Sequence, residues 1–211
     1  RVDSTTVLSG FTITNGVASY SNIGSAGGIY CANSQATLNN LLFTNNTTSF
    51  EPSASALFIR HTPSMKVENC DFRNNTVTAT GDNSTIHVKS AFPTFNNIEI
   101  TNNNILQGDA YGILCSYGAA PIVNNCLIAD NYGGGEAIKC MFGNGAAPIF
   151  NHLTVVNNNA GPGSGWYRAS LQVQGNYNVT VRNSVFYNNG GTYLYLNAPL
   201  TLINCLIDIS N

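Results

Sequence analysis

One seven-residue block recurs along this chain at intervals of about 28 residues. It opens on Asn, places apolar residues second and fourth, and closes on a pair of Asn. The block reads NLLFTNN from Asn40, NCDFRNN from Asn69, NIEITNN from Asn97, NCLIADN from Asn125, HLTVVNN from His152 and NSVFYNN from Asn183. Weaker copies stand at GFTITNG from Gly10 and NCLIDIS from Asn204, so successive lead positions are 30, 29, 28, 28, 27, 31 and 21 residues apart. A period of that size with uneven spacing predicts a solenoid whose repeats stack and whose insertions fall in loops.

Alternation inside the block identifies the repeating element. Cys70 and Phe72 are apolar while Asp71 and Arg73 are polar, the period-two signature of a strand with one buried face. A second strand precedes each lead Asn, with inward Leu38, Val67, Phe95, Val123, Phe150, Val181 and Leu202. A third lies midway between blocks, with inward pairs such as Leu57/Ile59, Ile86/Val88, Ile113/Cys115 and Leu171/Val173. No helical periodicity intervenes. The expected fold is all-β, a right-handed parallel β-helix of about eight coils with three short strands per coil, roughly 38 Å long at the ~4.8 Å strand spacing. Residues 1–211 read as a single domain.

Asn suits the corners of such a coil. Its short amide tolerates a bent backbone, and a column of Asn at the lead positions can pass hydrogen bonds between coils where a sharp buried turn leaves groups unpaired. The closing Asn pairs read the same way, and His152 in the lead column reads as a corner residue rather than a metal ligand. The six cysteines fall on inward positions and read as buried thiols. Cys115 and Cys140 occupy neighbouring coils, at a separation a disulfide could span.

Composition limits the setting. Charged residues make up 9% of the chain and its net charge is −2, so no basic stripe is available for nucleic acid. No apolar run approaches the ~18 residues of a membrane span, and the N-terminus RVDSTT lacks the features of a signal peptide. Open coil ends expose unpaired strand and core. With no amphipathic cap in the sequence, the expectation is a module cut from a longer secreted or surface polypeptide. Catalytic elbows, zincin helices, phosphate loops and the calcium-binding nonapeptide are missing.

Function is then expected on outward positions. The third strand's outer column runs Tyr30, Phe58, His87, Leu114, Lys139, Gln172 and Tyr195. Trp166, Tyr167 and Arg168 lie in the loop before the seventh coil, Tyr193 starts the next strand, and Glu136 precedes the sixth coil. Rings on a sheet with polar groups between them suit a carbohydrate, whose C–H faces pack on aromatics while its hydroxyls bond the polar groups. Trp166, Tyr167, Tyr193 and Tyr195 are the expected platforms, and Lys139, Gln172, Glu136 and Arg168 the expected hydroxyl partners. The competing reading is that long loops fold over this face and bury it. Both stay open at this point.

An enzymatic alternative uses Asp82, Asp109 and Glu136, which precede consecutive third strands and could converge on calcium. Arg60, His87, Lys89 and Lys139 would then serve a polysaccharide lyase. A further outward pair, Asp71 and Glu99 with Lys66 and Arg73 beside it, reads as surface ion pairing rather than a hydrolase's two carboxylates.

Repeats such as GGIYCANSQATLNNLLFTNN (27–46) and APIVNNCLIADN (120–131) resemble those of pectate-lyase-like secreted bacterial β-helix proteins. GGIY at 27–30 with FTNN, FRNN and FYNN is also similar to motifs of autotransporter passengers. Because this architecture hosts lyases, hydrolases, adhesins and binding modules, the resemblance speaks for fold more than for activity. It further implies a β-helical carbohydrate-binding module linked to a polysaccharide-degrading enzyme and directed at xylan. The expectation taken forward is a non-catalytic module, secreted or on a bacterial cell surface, with a polysaccharide partner and no cofactor. A lyase or hydrolase, possessing calcium in one version, and a surface adhesin are the alternatives. The few Lys and Arg favour a neutral glycan over a polyuronate.

Overall fold

Each block forms a strand because alternation lets one face leave water while the other keeps its polar groups. In the computed structural model, which describes residues 3–18, 24–106, 108–133, 135–160, 169–190 and 192–208, these strands pair parallel and in register to build a solenoid with three sheets. Val67 sits between Leu38 and Phe95, and Phe72 between Phe43 and Ile100. Inward residues of successive coils therefore stack into columns, and the rings of Phe43 and Phe72 lie 4.6 Å apart.

The three sheets are not the three strands expected. Sheet A takes both the block strand and the strand before it, with a bend at the lead residue. In the middle coils the two are continuous, as Thr94–Thr101, Ile122–Ala129 and Ile149–Val156. Sheet B consists of two-residue strands after the closing Asn pair, from Val17–Ala18 to Asn159–Ala160. Sheet C is the expected third strand, lengthened to eight or nine residues in Ser53–Arg60, Gly81–Lys89, Gly108–Ser116, Glu136–Asn144 and Ala169–Asn176. Among the described residues only about six coils close through all three sheets, against the eight expected. Lead residues count rungs of sheet A, and the last two rungs lack a described strand in sheet B. No helix among the described residues is long and apolar enough to cross a membrane.

Both corners flanking the block take the left-handed backbone. The lead residues Asn40, Asn69, Asn97, Asn125, His152, Asn183 and Asn204 have φ of 50–55°, and the first members of the closing pairs, such as Asn45 and Asn74, 55 and 57°. The second members, Asn46, Asn75, Asn103, Asn131, Asn158 and Asn189, are buried and form a ladder along the molecule. Asn103 donates through Nδ2 to Asn131 Oδ1 at 2.9 Å and to the Phe72 carbonyl at 2.9 Å, and its backbone N–H donates to the same Asn131 Oδ1 at 2.9 Å. The pattern repeats at Asn75, Asn131 and Asn158. Lead residues bond between coils too, at 3.2 Å from Asn97 to Asn69 and from Asn125 to Asn97, but in the open. The buried turn that needs an amide lies at the end of the block, not at its start.

Sheet C differs from the others on its outer side. Phe58, His87 and Leu114 are fully buried although they alternate with inward residues. Phe58 is stacked with half-buried Tyr30 at 5.5 Å and meets His87 at 4.5 Å, while Leu114 packs with Ala110 and Met141. Register shifts interrupt the pairing near the start of these strands, and such bulges bend a strand. The chain entering sheet C lies over its outer face: a Cβ on Gly24 would come within 2.8 Å of the Phe58 ring. Of the two readings left open, the covered face holds for these positions. All six cysteines are free, with Cys115 and Cys140 paired in register inside.

Replacing Asn131 by Leu should strip the ladder of its central amide and leave donors of Asn103 and acceptors of Ile100 unmet. The expected loss is roughly 3 kcal/mol or more, measured as a lowered urea midpoint. His87 is held neutral by burial and then by Lys89, which push its pKa down to about 3, while Nε2 meets Ser116 Oγ at 2.8 Å. A folded value below the unfolded ~6.5 means that stability is complete above that pH and is lost as pH falls toward 3. The slope reaches about 1.4 kcal/mol per unit, and His87→Phe should remove that component from a pH series of urea melts.

Candidate functional site

Lys139, Gln172 and Tyr195 pair in register on three consecutive coils, as the column reading requires. Their exposure differs. Lys139 and Tyr195 are half-buried, but Gln172 is wholly buried with neither amide atom hydrogen-bonded, and Glu136 retains only 3% of its surface. The expectation that these two present polar groups on an open sheet is corrected: the outer column of sheet C is enclosed where they stand. Trp166, Tyr167 and Arg168 lie outside the described residues, and for Tyr193 only the backbone in Thr192–Leu196 is described.

Of the acidic trio, two side chains are described. Asp82 is half-buried, Glu136 is buried, and the side chain of Asp109 is outside the described residues. Among the described residues no three His, Cys, Asp or Glu side chains could hold a metal ion. Of the four residues that the lyase reading groups, Arg60, His87, Lys89 and Lys139, His87 is enclosed. Asp71 and Glu99 are in-register neighbours, with Arg73 Nη1 at 3.6 Å from Asp71 Oδ2. Partial burial raises the Asp71 pKa and the Arg73 charge opposes it, as in a surface ion pair.

A more open site lies at the corner that follows sheet C in four coils and falls within the strand Glu136–Asn144 in the fifth. At this corner Asn33, His61, Ser90, Tyr117 and Phe142 all take φ of 49–59°. Cβ crowds the carbonyl oxygen in that conformation, so bulky residues are uncommon there. Of the nineteen non-glycine positive-φ residues described, thirteen are Asn, and Tyr117 and Phe142 are the two with large rings. They stand on consecutive coils with centroids 5.1 Å apart and planes inclined by 37°. Tyr117 is 44% exposed and Phe142 51%.

Cations flank this pair. The Lys89 ammonium sits 4.3 Å from the centre of the Tyr117 ring, a cation–π contact, and Ser90 Oγ donates to the Tyr117 carbonyl at 2.9 Å. Arg60 is the register partner of Lys89. Burial first, then Arg60, lowers the Lys89 pKa, with Asp82 and Glu51 opposing. The corner thus offers apolar ring surface with charged and hydroxyl groups at one edge, which fits a sugar's C–H face and its hydroxyls. Following strand columns through the sequence passes over these two rings because Tyr117 belongs to a turn and Phe142 to a register shift in its strand. The legible signal was an aromatic directly before Gly, at Tyr117-Gly118 and Phe142-Gly143, where other coils carry Asn33, His61 and Ser90.

Comparison with curated proteins and with solved structures gives no match. Stacked parallel strands, columns of inward residues and turns capped by Asn agree with what a family comparison finds over residues 2–207, a match to the right handed beta helix region, and the chain belongs to that family.

Proposed function

We propose that this chain is a non-catalytic polysaccharide-binding β-helix, the targeting part of a secreted or cell-surface bacterial protein that also carries a catalytic domain. Plant cell-wall polysaccharide is the proposed ligand, and xylan is preferred on the resemblance of the repeats alone. The observation that supports this reading most is the ring pair Tyr117–Phe142. Two bulky side chains occupy left-handed positions that this fold otherwise fills mostly with Asn, on adjacent coils and both half-exposed. Strain of about 1–3 kcal/mol per such residue is retained where a surface has work to do, and packing does not demand rings that face water.

Tyr195 and Lys139 are proposed to extend the surface along sheet C, joined by Trp166, Tyr167, Tyr193 and Arg168. A glycan laid along the solenoid axis would meet one side chain per coil, at the ~4.8 Å rise of the sheet. The buried neutral His87 is withdrawn from the four groups of the lyase alternative, because a base that cannot reach solvent cannot take a proton from a bound polymer.

The double variant Tyr117→Asn/Phe142→Asn tests the reading. It puts the residue that the fold prefers at both corners, so the unfolding midpoint should stay level or rise, by about 1 kcal/mol per site. Affinity electrophoresis through xylan, β-glucan, mannan and pectin should show binding weakened about tenfold or more. Retardation equal to the unaltered protein's would remove the ring pair from the site.

A further inference from the structure

Resting on the polysaccharide-binding reading, we infer that Phe142, Gly175 and Asn197 form a subsite for one neutral pyranose ring of the polymer. Ser90, Tyr117 and Phe142 follow one another along the corner of three consecutive coils, with the Lys89 ammonium against the Tyr117 ring. The next residue at this corner is Gly175, with φ +72°. Gly175 adds no side chain to this stack, and Phe142 stays 51% exposed.

Packing does not demand glycine there. The backbone at φ +72° favours it, although Asn takes φ of 50–58° at thirteen other described positions and is the side chain this fold accepts best at such corners. Space is available as well: a Cβ on Gly175 would lie 3.5 Å from the Gly143 nitrogen and 3.6 and 3.8 Å from the nitrogen and Cα of Phe142, ordinary contact distances. Gly143 is the contrast, since a Cβ there would fall 2.5 Å from the Tyr177 ring. Gly143 is glycine because the core needs the room. Gly175 leaves room for a Cβ beside the Phe142 backbone.

A polar rim completes the notch. The Gly175 N–H donates to Asn197 Oδ1 at 3.2 Å, which fixes the exposed amide of the following coil beside the glycine. The notch therefore has a hydrocarbon ring as one wall, bare backbone as its floor and an amide at its edge. Those groups match a pyranose that stacks its C–H face on Phe142 and bonds a hydroxyl to Asn197. They carry no charge, so the preference is for a neutral sugar over a uronate.

Gly175→Asn keeps a residue type that this fold accepts at positive φ and fills the notch. Phe142→Leu keeps apolar bulk but removes the flat face, and it tests the same subsite without altering the glycine. Binding of soluble xylan, β-glucan and mannan to each protein is read by affinity electrophoresis and calorimetry, with thermal melts as the control for folding. Each variant is expected to lower affinity about tenfold with its melt unchanged. If the unaltered protein binds and both variants bind as well as it does, the subsite is overturned while the polysaccharide reading stands. If the unaltered protein is retarded by none of the three glycans, the reading and the subsite fall together.

Discussion

A parallel solenoid depends on satisfying the backbone at turns too tight and too buried for water. Strands look after themselves, since each N–H and C=O of an inner coil meets the coil above or below. The turn after the block has no such ladder of its own. The Asn column supplies one, with each amide donating to the next amide and to a carbonyl of the preceding coil while its oxygen takes a side-chain and a main-chain N–H. Because every member is both donor and acceptor, the column is self-consistent only if the coils stay in register. That one residue type couples the turn, the register and the columns of Phe, Ile and Val packed inside.

Register then determines what the surface can be. Residues about 28 apart in sequence become neighbours about 4.8 Å apart on one wall, so a function can be assembled by altering one position per coil without disturbing the core. The corner after sheet C shows this. Asn33, His61, Ser90, Tyr117 and Phe142 share one backbone conformation and differ only in what they present to solvent. Local strain at the two rings is tolerated because strands on both sides fix the turn from outside.

Sheet C also illustrates where pattern reading stops. Alternation correctly places Leu57, Ile59, Ile86 and Val88 inside, and it places Phe58, His87 and Gln172 on the opposite side. It cannot tell whether that side faces water; at Phe58 the answer lies in the entering chain, where Gly24 lies against the ring. Gln172 was legible as an outward polar residue but not as a buried one with an unpartnered amide. Tyr117 and Phe142 carried a signal in their aromatic-Gly dipeptides, yet that signal belongs to corners, whose columns emerge only once strands are aligned. Asn columns were legible at both ends of the block, but only burial separates the exposed column from the enclosed one.

The chain by itself determined the parallel coil, the inward columns and the use of Asn at the corners, because those follow from a repeated pattern of apolar and amide residues that allows one way of stacking. Tertiary structure alone decided how many coils close, which Asn column lies inside, which outward residues are covered and which two rings stand open at a corner. Burial of an outward residue is a property of whatever segment lies across it, and such segments sit in the irregular stretches where the repeat carries no information.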